Sequence, residues 1–279
     1  MPNPFFDQPI LNSPYEYPRK HWELDPDGQP TQKQIERRRR AEFLTPIPKP
    51  KKRRATAAQR DIVFDEGLGL STAKQQYDPT SIINELRQYV DQWRELPQNQ
   101  WQVTPETARL LEHWRHYEFN DVRPFFCQVE AVETAIWLTE VAAHSKGGKR
   151  VLDHLANANR DANPDLMRLA LKLATGAGKT TVMAMLIAWQ TINAVRRPGS
   201  KHFSRGFLVV TPGLTIKDRL RVLQPNDPDS YYFSRELVPG DMRDDINHAK
   251  IVITNYHAFK LRERMDLSAG GREIGRAHV

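Results

Sequence analysis

Apolar residues take up helical spacing only from about residue 80 onward. Ile82, Ile83, Leu86, Tyr89, Val90 and Trp93 recur at three- and four-residue intervals behind Ser81, a residue type suited to capping a helix N-terminus. Pro97 stops that run. Thr104-Pro105 opens a second helix, with Thr as cap and Pro in the first helical position, and Leu110, Leu111 and Trp114 share one face. The tryptophans of both helices read as core. A further helix spans Phe126 to His144, then comes a basic stretch, Lys146 to Arg150, and another short helix. Beyond it strand and helix patterns alternate: strand Met167–Leu173, helix Thr180–Val195, strand Phe207–Thr211, helix Leu214–Leu223, strand Ile251–Thr254. Such alternation predicts an α/β fold with a parallel sheet, in which ligands bind at the C-terminal ends of the strands. No internal repeat is visible.

The first 50 residues lack that periodicity and hold ten of the twenty prolines. Residues 1–78 therefore read as an extended or disordered Pro-rich and basic arm, and 79–120 as a helical segment. Nine of the 18 residues from 37 to 54 are basic, among them Arg37 to Arg40, Arg53 and Arg54, against one acid, Glu42. Two readings stay open for this run: an electrostatic clamp on phosphates, or a solvated linker.

Composition narrows the class. The 279 residues suffice for a sizeable core. A net charge of +7 allows a polyanionic partner. The lone cysteine, Cys127, excludes a disulfide framework and a multi-cysteine zinc site and fits a reducing, cytoplasmic setting. Cys127 itself reads as a buried small hydrophobe beside an apolar helix start. Nine histidines show no metal-ligand spacing. No run approaches the length of a membrane span, and the start lacks the features of a secretory signal.

The strongest chemical signal is Leu173-Ala174-Thr175-Gly176-Ala177-Gly178-Lys179-Thr180-Thr181, between a predicted strand and a predicted helix. Gly176 and Gly178 permit positive φ and close backbone approach, so that successive amides can cradle phosphate oxygens at a helix N-terminus. Lys179 can reach the β- and γ-phosphates, and the Thr180 hydroxyl can bind Mg²⁺. Thr175, Ala177 and Thr181 complete the candidate loop. The general pattern asks for Gly six residues before the lysine, where this chain has Leu173.

The shorter Ala-Thr-Gly-x-Gly-Lys-Thr form resembles motif I of superfamily-two DEAD/DEAH-box helicases, and most closely the helicase subunits of type I and type III restriction enzymes. Three further stretches carry the resemblance. Arg123-Pro124-Phe125-Phe126-Cys127-Gln128 stands where such helicases place an adenine-reading glutamine, which would be Gln128, with Arg123 as helper. Leu208-Val209-Val210-Thr211-Pro212-Gly213-Leu214 resembles motif Ia. Ile251-Val252-Ile253-Thr254-Asn255-Tyr256 resembles a Thr-rich strand end that touches the same nucleic-acid strand. The resemblance implies a RecA-like P-loop NTPase domain, here incomplete and covering 121–273, with ATP and Mg²⁺ as cofactors and DNA as partner. Thr211, Pro212, Thr254 and Asn255 would contact that DNA. It also implies a modification (methyltransferase) subunit as a further partner, and often a nuclease domain fused further on.

Hydrolysis by this machinery needs a Walker B carboxylate and a neighbouring Glu closing an apolar strand after Lys179. No acid after Lys179 stands in that context, and Asp65-Glu66, which follows Ile62-Val63-Phe64, precedes the loop. Residues 274–279, Ile-Gly-Arg-Ala-His-Val, fit no element of the fold and correspond to one frame of a common sequencing adapter. The expectation is an N-terminal fragment of an ATP-dependent DNA helicase or translocase, inactive by itself, with 274–279 as artefact. The alternatives are a complete, non-hydrolysing module that binds nucleotide and DNA, and a P-loop phosphotransferase. Arg219 and Arg221 are the only support for the arginine lid such a kinase needs.

Overall fold

A computed structural model describes residues 4–25, 27–41 and 79–259. The basic run from Lys49 to Arg54, the Asp65-Glu66 pair and residues 274–279 lie outside the described residues. The chain forms two compact units, Met1–Val182 and Met183–Val279.

In the first unit an antiparallel hairpin joins β1 (His21–Leu24) to β2 (Pro30–Ile35). The turn follows from its residues. Asp25 Oδ1 accepts from the Asp27 and Gln29 amides, and Gly28 takes a positive φ of 80°. Trp22 is buried, with its indole donating to the Gln8 carbonyl and Phe5 edge-on against it. Asn12 ties the loop before the hairpin, accepting from the Arg19 and Lys20 amides. Within the expected extended or disordered arm, the described residues from 4 to 41 thus contain a hairpin. Its order comes from polar and ionic ties that hydrophobic periodicity does not register.

Helices α1 (Pro79–Arg94) and α2 (Pro105–His116) lie near the predicted positions. Thr104 caps α2 by accepting from the Thr107 amide, and Pro105 sits at its start. Helix α3 (Phe126–Ile136) continues as a π-helical turn, Trp137–Val141, and a 3₁₀ turn to His144. The basic stretch Lys146–Arg150 is no separate segment. It is the first turn of α4 (Lys146–Ala162), which starts there because Ser145 Oγ accepts from the Gly148 amide. Trp93, Trp101, Leu110, Leu111, Trp114 and Ile136 form the core. The buried indoles are satisfied: Trp93 donates to the Trp101 carbonyl and Trp101 to that of Leu96.

Among these side chains runs an ionic network. Glu133, fully buried, accepts from Arg94 and Arg115. Arg38 meets Glu130 with both guanidinium arms, at 2.5 and 2.6 Å, and lies over the Tyr17 and Phe126 rings. Tyr17 donates to Asp91, which also holds Arg94. The 4–41 segment is thereby fastened to α1 and α3.

Met167–Leu173 does not form the predicted strand. No regular element covers it, and Leu166, Met167 and Leu169 are exposed. A strand exists only through a neighbouring ladder, and this stretch pairs with no strand among the described residues. Its composition (Met, Arg, Leu, Ala, Lys) also lacks the β-branched residues that favour strands.

Helix α5 (Lys179–Arg196) carries the chain into the second unit, where β3 (Gly206–Thr211) and β4 (Lys250–Asn255) pair in parallel. The register runs from Gly206↔Lys250 to Thr211↔Asn255. The crossover between them contains α6 (Leu214–Arg219), which tightens into a 3₁₀ turn at Leu220–Leu223. The fold class is thus α/β with a small parallel sheet. Leu223, Tyr232, Leu237, Met242 and Ile246 are buried in this unit. Among the described residues no helix is long and apolar enough to cross a membrane.

Candidate functional site

In the first unit the loop before α5 has the conformation its glycines allow. Gly176 and Gly178 adopt φ of 81° and 70°. At Gly178 a Cβ would stand 2.3 Å from the Gln128 amide nitrogen, so any other residue would displace that glutamine and strain the backbone at its positive φ. The loop closes on itself through the Ala177 amide to the Ala174 carbonyl and the Thr181 amide to the Gly178 carbonyl. Lys179 is exposed and its ammonium donates to the Ala174 carbonyl at 2.8 Å, folding back over the loop. Thr180 is half-buried, Thr181 buried, and Thr175 exposed.

Gln128, the expected reader of an adenine edge, lies beside the loop. It is buried, and both ends of its amide are engaged within the chain: the oxygen accepts from the Phe125 amide and the nitrogen donates to the Ala177 carbonyl. It caps α3 and latches that helix to the loop. Arg123 is exposed, its guanidinium over the Tyr15 ring at 5.8 Å. Tyr15 in turn tilts against Phe125. Cys127, expected to be buried, is exposed, because α3 turns Gln128 and Val129 inward and leaves Cys127 on its outer side.

In the second unit the parallel register brings Thr211 and Asn255 side by side at the C-terminal ends of β3 and β4. Thr211 is buried, and its hydroxyl donates to the Gly213 carbonyl at 2.9 Å. The Thr254 carbonyl lies 3.4 Å away. The hydroxyl of this expected nucleic-acid contact is thus engaged within the turn and the sheet end. Pro212 is exposed, and Thr254 and Asn255 are half-buried. Asn255 accepts from the Ala258 amide and so starts the turn Tyr256–Phe259. That turn exposes the rings of Tyr256 and Phe259, by 59% and 57%. Rings so placed can stack bases. Sequence reasoning missed both, although aromatics directly after a strand end that already carried Thr and Asn were the available signal.

Residues 122–274, more than half of the chain, match the model of the family described as Type III restriction enzyme, res subunit. The chain belongs to this family. Its members are helicase-like, ATP-binding modules of restriction systems, so the fold, the glycine loop and the resemblance of the motifs agree on one class. No curated protein and no solved structure matches the chain.

Proposed function

We propose that this restriction-family module binds Mg·ATP at Thr175–Thr181 and DNA at the C-terminal ends of β3 and β4, within a RecA-like P-loop NTPase domain. The observation that carries the reading is the loop itself. Two glycines at positive φ and a buried glutamine latch hold it at the start of α5, with Lys179 folded across it. Loop amides and the helix N-terminus attract phosphate, and Lys179 exchanges the Ala174 carbonyl for β- and γ-phosphate oxygens. The Thr180 hydroxyl holds Mg²⁺, whose charge offsets that of the phosphates. Gln128 keeps the loop in register with α3. At the sheet end Thr211 orders the turn, while Thr254, Asn255 and the Tyr256 ring face the nucleic acid. The reading concerns binding. No carboxylate after Lys179 closes an apolar strand in this sequence, so turnover is not assigned to these residues.

The test is Lys179→Ala, titrated with a fluorescent ATP analogue and Mg²⁺. Loss of a charged contact to phosphate should weaken binding about ten- to hundredfold. The far-ultraviolet circular dichroism should stay as in the parent, since the side chain is exposed. Equal affinity in the two proteins would refute the phosphate assignment.

A further inference from the structure

Thr211 and Asn255 mark one end of the parallel pair. The other end, where β3 and β4 begin, carries a different chemistry. Residues 196–205 contain Arg196, Arg197, Lys201, His202 and Arg205 and no acid. Arg196 is neutralised: it binds Asp245 at 2.7 Å and the Asp241 carbonyl. Arg197 is partnered as well. Lys201, His202 and Arg205 are exposed, as are His248 and Lys250 from the start of β4, and none of these five side chains has a hydrogen bond or ion pair among the described residues. The Lys250 amide donates to the Arg205 carbonyl at 2.7 Å, so the ladder itself fixes the two strand starts side by side. Beside them opens a cavity of about 380 Å³ with Pro198 and Phe203 on its apolar part and Ser200, Ser204, Arg205 and His248 on its polar part. No carboxylate lines it.

Asp241, Asp244 and Asp245 precede the start of β4, but Lys201, Arg205 and Lys250 form no ion pair with them, and such exposed cations attract a polyanion, with the cavity's hydroxyls as neutral donors for phosphate oxygens. Across six-residue strands this surface stands about 16 Å from the Thr211–Asn255 edge. One phosphate does not reach both, so the two edges engage different phosphates.

We infer that the N-terminal edge of the β3–β4 sheet is a second, sequence-independent DNA-backbone site, with Lys201, Arg205 and Lys250 as its principal phosphate contacts. The inference rests on the reading of this module as a DNA binder. Arg205 and His248 grip phosphate at the cavity mouth, while Lys201 and Lys250 extend the positive row on either side. Contacts made to phosphate oxygens carry no base information directly.

The experiment uses the full chain and a labelled duplex oligonucleotide of arbitrary sequence, with anisotropy titrations across a salt series. The K201A/R205A/K250A protein should bind about tenfold or more weakly, and the slope of log affinity against log salt should shrink by about 0.9 per lost contact, or about 2–3 in all. A control protein, K33A/K149A/R160A, removes three exposed cations elsewhere and should keep its slope. Lys201→Ala and Arg205→Ala alone should each lower the slope by about 1, which covers the case of a triple variant that does not fold. If the parent binds DNA and the triple variant keeps its slope, the second site is refuted while the strand-end reading survives. Equal slope losses in control and triple variant would also refute it, as bulk charge. A parent that binds no DNA refutes both readings.

Discussion

Residues 4–41 and Met167–Leu173 reverse each other's expectations. The first stretch is proline-rich and aperiodic, yet its described residues form a hairpin and are fastened down. The second is apolar at every other position like a strand, yet it has no strand structure, exposes Met167 and Leu169 and leaves Leu171 and Leu173 half-buried. The difference lies in partners. Tyr17 and Arg38 find Asp91 and Glu130, which are already fixed on packed helices, so ordering the segment gains charge-assisted hydrogen bonds and ring contacts. The second stretch has a suitable pattern and no neighbouring edge among the described residues. Pattern states what a segment could bury, and only a partner makes it do so.

The network under the hairpin is where that comparison breaks most visibly. Glu133 is fully buried and faces both Arg94 and Arg115. Glu133→Ala takes the carboxylate from the largely buried Arg115 and leaves Arg94 with Asp91 alone at close range. Such removal costs about 3–5 kcal/mol. Urea denaturation should show that loss, with a lower midpoint and similar slope. A cost under about 1 kcal/mol would mean the arginines find other partners and the network is not what orders this unit.

Arg38→Ala should do less and should act locally. It removes two charge-assisted bonds to Glu130 and the guanidinium over Tyr17 and Phe126, worth about 1.5–3 kcal/mol. Limited proteolysis offers the sharper readout. Cleavage within residues 12–41 should accelerate while the α1–α3 core resists. Unchanged cleavage would show that the hairpin holds by Trp22 and its own ladder alone. Removal of residues 1–54 as a test of the basic arm would also strip away this anchor, so any effect on DNA affinity would mix charge with packing.

What was legible in the sequence follows the same division. The loop at Gly176–Thr181, the Thr104 cap and the β3 and β4 strands each depend on local rules: glycine at positive φ, hydroxyl before proline, β-branched runs. The positions found agree with those rules. The engagement of Gln128 was not legible, because its acceptor is the Ala177 carbonyl 49 residues away. That of Thr211 was open to local rules only in part, since its hydroxyl meets the Gly213 carbonyl two residues on and also lies 3.4 Å from the Thr254 carbonyl 43 residues away. The exposed Tyr256 and Phe259 rings, and the cations at the strand starts, needed the parallel register before their placement meant anything. Ion pairs such as Arg38–Glu130, 92 residues apart, leave no periodic trace at all.

The smallest expected effect is the most direct check on Met167–Leu173. Leu169 is 45% exposed and belongs to no regular element, so little apolar area leaves water when this segment folds. Leu169→Lys should therefore shift stability by no more than about 0.5 kcal/mol, the usual range for a surface position. A strand buried in a sheet would respond differently. There the same change would place an unpaired ammonium in the core, and the denaturation midpoint would fall by the equivalent of several kcal/mol. Measured beside Glu133→Ala in one urea series, the two proteins rank the regions on one scale. A large loss at Leu169 together with a small one at Glu133 would invert the comparison, making the alternating pattern the better guide and the ionic network incidental.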